Sequence, residues 1–181
     1  MRNIPSILAI VLLFSGCVNP VTSLHPLHEG APIADVPQLI GSWKGDDANW
    51  TFTEAPGDGY RCVITDAEGR SGSFIVHPIH LNNVLYLSLT PEVRDEEKLD
   101  FYAIHILPVH GMMRVDALDP NLRLSTLKAD WFESPEATRA ISSVEYEDGL
   151  LLTAAPETLR EVFSSPMAAD AWSEIGAWTK Q

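Results

Sequence analysis

Basic residues are scarce in this chain: 12 lysines and arginines stand against 25 acids in 181 residues, for a formal charge of −13. Such a balance excludes a nucleic-acid partner, because affinity for the phosphate backbone comes mainly from lysine and arginine. It also argues against electrostatic capture by anionic lipid. Cysteine is nearly missing, with two residues in all, which excludes a disulfide scaffold. No apolar run approaches the ~20 residues that a spanning helix needs; residues 7–14 form a run of eight. Several catalytic signatures are missing too. There is no G-x-S-x-G elbow, no G-x-x-x-x-G-K-[ST] phosphate loop and no G-x-G-x-x-G turn. What remains is ordinary globular composition, 45% hydrophobic and 20% charged, in a length suited to one domain with a real core.

The N-terminus reads as a targeting segment. Arg2 supplies one positive charge, and the apolar residues 7–14 (ILAIVLLF) follow. That length fits the h-region of a secretory signal, ~7–15 residues. Leu13-Phe14-Ser15-Gly16-Cys17 resembles the lipobox of bacterial lipoproteins. The resemblance implies diacylglycerol on the Cys17 sulfur, cleavage before Cys17 and acylation of the new amino group. It departs at Phe14, where leucine is usual. Stable anchoring takes two chains or signals, and this modification supplies at least two chains on one residue. Val18 in place of aspartate implies, by the same resemblance, the outer membrane, with the body facing the periplasm. The expected divisions are therefore a signal peptide over 1–16, a lipidated tether over 17–38 and a folded domain over 39–181. The tether reading rests on Pro20, Pro26, Pro32 and Pro37 and on the lack of periodicity.

From residue 39 the pattern is one of short strands and turns. Strands are expected over 39–44, 50–53, 60–65, 71–81 with an interruption at Pro78, and 84–90. Turns fall at Gly57-Asp58-Gly59, Asp66–Arg70 and Asn82-Asn83. Residues 91–100 read as a charged loop, without the spaced acids and central glycine of a calcium loop. Residues 101–109 read as a central strand, and 114–118 and 122–127 as another pair. The last third turns partly helical. Asp130 begins a short turn, Ser134-Pro135 caps a short helix, and Asp148-Gly149 joins a hairpin. Pro156 begins a helix with Leu159, Val162 and Phe163 on one face. A final helix from Pro166 is expected to carry Ala168, Ala171, Trp172 and Ile175 as its stripe.

Strands this regular imply a sandwich or barrel. Gly41-Ser42-Trp43 resembles the G-x-W that opens lipocalins and related barrels, and the wider segment is similar to small bacterial lipoproteins with a lipocalin-like domain. The expected fold is mainly β: an antiparallel lipocalin-like barrel with short C-terminal helices. The usual lipocalin disulfide is missing, and the helical tail is split.

Little in the chain points to catalysis. With Cys17 acylated, Cys62 is left alone in a strand-like segment, where it reads as a small buried hydrophobe. His77 and His80 are an odd number apart, as are His105 and His110, so strand alternation turns the members of each pair to opposite faces. That spacing disfavours a zinc site, which needs three or four convergent ligands. His25 and His28 fall in the expected tether and read as solvated. No catalytic residue, metal or cofactor is expected. Trp43, Trp50 and Tyr60 are candidate ligand-lining residues if the barrel is hollow; they fill it as core if it is solid. The expected function is that of a lipid-anchored envelope protein binding a small apolar ligand or an envelope partner. The alternative is a structural or assembly lipoprotein with a filled barrel, whose terminal helices present Trp172 and Trp178 to another subunit.

Overall fold

The computed structural model describes residues 20–92, 108–146 and 149–181. The signal segment, Cys17, His105, most of the expected 101–109 strand and the Asp148 turn position lie outside the described residues. The elements are β1 (Val21–Ser23), β2 (Gly41–Lys44), β3 (Ala48–Glu54), β4 (Tyr60–Asp66), β5 (Ser71–Leu81), β6 (Val84–Pro91), β7 (Gly111–Ala117) and β8 (Asn121–Leu127). They are followed by α1 (Pro135–Ala140), β9 (Ser143–Tyr146), β10 (Gly149–Leu152), α2 (Pro156–Phe163) and β11 (Trp172–Lys180).

β2 to β8 run up and down in chain order, and β11 closes the circle between β8 and β2. The result is a closed eight-stranded antiparallel barrel of the expected lipocalin-like kind. Alternation sets which side chains look inward. Trp43, Trp50, Phe52, Tyr60, Cys62, Val76, Leu87, Leu122 and Leu124 are buried there as parts of one cluster. The β5–β6 hairpin turns on Asn82 and Asn83 at φ 46° and 65°. Positive φ at both central residues matches the twist of a two-residue hairpin, and asparagine tolerates it.

A second layer lies against the outer wall. It consists of a three-stranded sheet in the order β1-β10-β9, together with α1 and α2. Val21, Leu27, Leu152, Leu159 and Phe163 pack there on Ile79, Tyr86, Met112 and Leu127 of the barrel. α1 starts as its sequence requires: Ser134 Oγ accepts the Ala137 N–H at 3.2 Å, and Pro135 fills the first turn. α2 buries Leu159, Val162 and Phe163, the face expected for it.

Three expectations need correction. From residue 20 the segment read as a tether is part of the body. Val21, Leu27 and Val36 are buried, and β1 pairs in parallel with β10, Val21 opposite Leu150. Arg160 pins this stretch by donating to the carbonyls of Leu27, at 3.0 Å, and Glu29. Its aliphatic residues supply the burial energy that the prolines hide. At Pro78, β5 is not interrupted. Pro78 stands opposite Leu87, and its carbonyl accepts from Ala34 N–H at 2.8 Å. Its missing N–H lies on that same edge, beyond Val76 where pairing with β4 stops, so no ladder bond is lost.

The final helix is the third. Pro166–Ala171 is only a 3-10 turn, and Trp172–Lys180 is the strand that closes the barrel. Register shifts between Glu174 and Gly176. Residues 172 and 178 would otherwise face the same side; the bulge reverses that parity. Trp172 therefore packs in the second layer and Trp178 inside the barrel. Both indoles are buried, so no terminal helix presents them to a partner.

Candidate functional site

Trp43, Trp50 and Tyr60 lie together in the barrel interior. The indole N–H of Trp43 donates to Leu39 O at 2.7 Å, and that of Trp178 to Ala48 O at 2.9 Å. Trp50 stacks on Phe52, at 6.2 Å between centroids, and meets Trp178 at a tilt of 59°, 5.4 Å between centroids. Its own Nε1 is buried without a hydrogen-bond partner among the described residues. Trp43 and Trp50 thus fill space in a packed core. Cys62 is fully buried beside them, and burial pushes its thiol pKa up to about 12. A thiol held neutral in this way is a poor nucleophile.

Tyr60 has a double position. Its ring belongs to the core, while its hydroxyl reaches the barrel mouth. There it accepts the Val36 N–H at 2.8 Å and donates to Asp35 Oδ1 at 3.0 Å. Burial raises the phenol pKa, against the bond from Val36 and with Asp35 acting alongside. An open cleft of about 620 Å³ covers this mouth, lined by Ile33, Asp35, Pro37, Glu54, Asp58 and Tyr60 among others. Three carboxylates on its rim make it unlike an apolar ligand pocket, which is mostly hydrophobic with few polar groups.

The seam between barrel and second layer holds a cluster of histidines and hydroxyls. His28 stacks on His77 with centroids 3.9 Å apart, and its Nδ1 lies 3.0 Å from Ser88 Oγ. His110 Nδ1 lies 3.1 Å from Thr90 Oγ1. His28 has its pKa lowered to about 4, chiefly by burial and then by the neighbouring His77 and His110. Burial also lowers His77, opposed by Asp58, and His110, where His25 adds to the effect and Glu29 opposes it. The expectation of a solvated His28 is thus corrected. The chain carried it into the seam because Leu27 beside it is fully buried. His77 stands opposite Ser88 and His80 opposite Leu85, on opposite faces as their odd spacing requires. Among the described residues no group of three or more histidines, cysteines or acids could hold a metal ion. Stacked rings present faces to each other, whereas a metal needs converging nitrogen lone pairs.

The third region is the outer face of the small sheet. Leu150 and Leu152 point to the barrel, with Glu145 and Ser143 opposite them on β9. The alternate residues Val144, Tyr146 and Leu151 therefore look away from the body. Val144 is 56% exposed and Tyr146 45%. Sequence reading missed this face, although Val144 and Tyr146 alternate with Glu145 in the chain.

No protein-family profile matches this chain. No curated protein and no solved structure matches it either. The class defined by the fold is a lipocalin-like barrel.

Proposed function

We propose that the chain is a lipid-anchored, non-catalytic protein of the cell envelope. Acyl chains on Cys17 hold it at the periplasmic side of the outer membrane, and it meets an envelope partner with the outside of its body. Two kinds of support combine. The lipobox-like residues around Cys17 carry the anchor. The packing of Trp43 and Trp50 into one cluster with Trp178 and Phe52 carries the choice of a solid barrel over a ligand carrier. The buried, neutral Cys62 thiol is not available as a nucleophile.

The test is expression of the precursor in a diderm bacterium, with intact-mass analysis of the product. The expected mass is that of a chain beginning at acylated Cys17, and Cys17→Ser should release the protein from washed membranes. A Cys17→Ser form that stays bound after salt and carbonate washing would refute the anchor. Native mass spectrometry after mild detergent extraction tests the solid barrel. An apolar small molecule retained at one per chain would replace partner binding with ligand carriage.

A further inference from the structure

The geometry points to a membrane-contact surface on the outer face of the three-stranded sheet, with Val144, Leu151 and Tyr146 seated at the boundary between headgroups and acyl chains. This rests on the proposed lipid anchor at Cys17 and says how the body sits on it.

The reach of the chain carries the inference. Only three residue steps separate Cys17 from Pro20, and a fully extended chain covers at most ~3.6 Å per step, or ~11 Å. Pro20 is no free end: its carbonyl accepts the Leu150 N–H at 3.0 Å, and β1 begins at the next residue. Acyl chains on residue 17 would hold this corner of the sheet close to the headgroup layer. That layer is itself ~5–7 Å thick on each side of the hydrocarbon. The long tether expected from sequence would have let the body stand clear, and the β1–β10 pairing removes most of its length.

What lies beside Pro20 suits such a position. Tyr146 reaches over Gly149 toward it. A Cβ added at Gly149 would meet Pro20 O at 2.4 Å, Tyr146 Oη at 3.0 Å and Pro20 Cγ at 3.1 Å, so only glycine admits both neighbours. Val144 stands directly opposite Leu151 on the same outward face. The acid Glu145 is turned to the other face, opposite Leu150. Tyrosine combines an apolar body with a polar tip and is enriched at membrane interfaces. Among the described residues of this hairpin, Val144, Tyr146 and Leu151 thus face outward while Glu145 faces inward; Glu147 and Asp148 of its turn lie outside the described residues.

The opposite wall of the barrel sets the control. β1 joins the start of β7 through the Ser23–His110 bridge. In the closed order β3 is four strands from β7 in either direction. Thr53 on β3 is exposed and lies on the far wall.

The test uses the full, natively acylated protein in phosphatidylethanolamine-rich vesicles, at less than one molecule per vesicle. Val144→Cys and Leu151→Cys each receive an environment-sensitive fluorophore, as does Thr53→Cys; Cys62 is too buried to react. The expected result is blue-shifted emission at 144 and 151, quenched by brominated lipid, with water-like unquenched emission at 53. Water-like emission at 144 and 151 from protein that floats with the vesicles overturns the contact surface and leaves the anchor standing. Failure to float, with a mass lacking acyl chains, overturns both. Shielding of 144 that persists in detergent and grows with protein concentration assigns the face to a second copy of the chain, which also overturns the proposal.

Discussion

The described residues form two hydrophobic cores separated by one sheet wall, and they are built differently. Inside the barrel the cluster is apolar and aromatic, and the N–H groups of Trp43 and Trp178 are satisfied by nearby carbonyls. Between the barrel and the second layer, polar groups are admitted. Ser23, Ser88 and Ser125, the buried polar residues among those described, all lie outside the barrel. His28, His77 and His110 line the same seam. A closed sheet spends its backbone groups on its own ladders and has little left for a buried side chain. The seam is bounded by loops, short helices and a small sheet, whose ends have free donors, acceptors and nearby water. Polar satisfaction therefore costs less there. The inner core fixes the barrel, while the outer one ties the N-terminal segment to it through groups that can change charge.

The largest effect that would test this difference is a cavity. Phe52→Ala should destabilise the protein by about 3–5 kcal/mol, and Leu159→Ala in the outer core by about 2–5 kcal/mol, both in urea unfolding. If the layers form one cooperative unit, both variants lower a single transition. Two separate transitions, with Leu159→Ala moving only the first, would show the second layer to be an independent unit.

Acid comes next in size. His28 is neutral in the fold, with its pKa lowered to about 4 from an ordinary 6.5. Below 6.5 the unfolded chain takes up a proton that the fold does not. Stability is therefore lost as pH falls from 6.5 toward 4, and below that this group costs nothing more. For a half-buried ring screened by solvent, the loss is about 1–2 kcal/mol. His28→Gln should flatten the stability profile in that window. Asp66 and Glu92 are held below their ordinary carboxylate values, for Glu92 by hydrogen bonds from Ser73 and Arg61. Their share of the acid loss falls at lower pH, so the two windows separate. An unchanged slope between pH 6.5 and 4 in His28→Gln would remove His28 from the account.

The smallest effect sits inside the barrel. Trp178→Phe strips a hydrogen bond from the Ala48 carbonyl, whereas Trp50→Phe removes an N–H that has no partner among the described residues. With similar loss of volume, Trp178→Phe should cost about 1 kcal/mol more than Trp50→Phe. Equal costs in matched denaturant curves would mean that Trp50 Nε1 finds a partner, such as an internal water.

The barrel was legible in the sequence wherever alternation and turn chemistry agreed. Leu85, Leu87 and Leu89 on β6, the Asn82-Asn83 turn and the 60–65 strand were placed by local rules that the tertiary structure did not override. The closing strand was not legible. Ala168, Ala171, Trp172 and Ile175 fall at helical spacings, and a bulge breaks the two-residue period that would have marked β11. Its identity comes from the two barrel edges it must satisfy. The N-terminal stretch was misread for a related reason: Val21 and Leu27 are buried in the outer core and Val36 in the barrel cluster, at spacings that leave no period to detect. Of the candidate residues, Trp43 and Trp50 were legible as aromatic core. The seam around His28 was not, because it joins residues 60 positions apart, His28 and Ser88.

Closure by β11 has a consequence for the order of assembly. During synthesis, seven barrel strands and the whole second layer emerge before the strand that joins β8 to β2, the latter through Lys180 opposite Trp43. Until then two edges with open hydrogen-bonding groups await a partner, the condition under which strands pair with the wrong chain. Such far-apart pairings also form slowly. The barrel edges on β8 and β2 therefore stay unpaired until Trp172–Lys180 has been made.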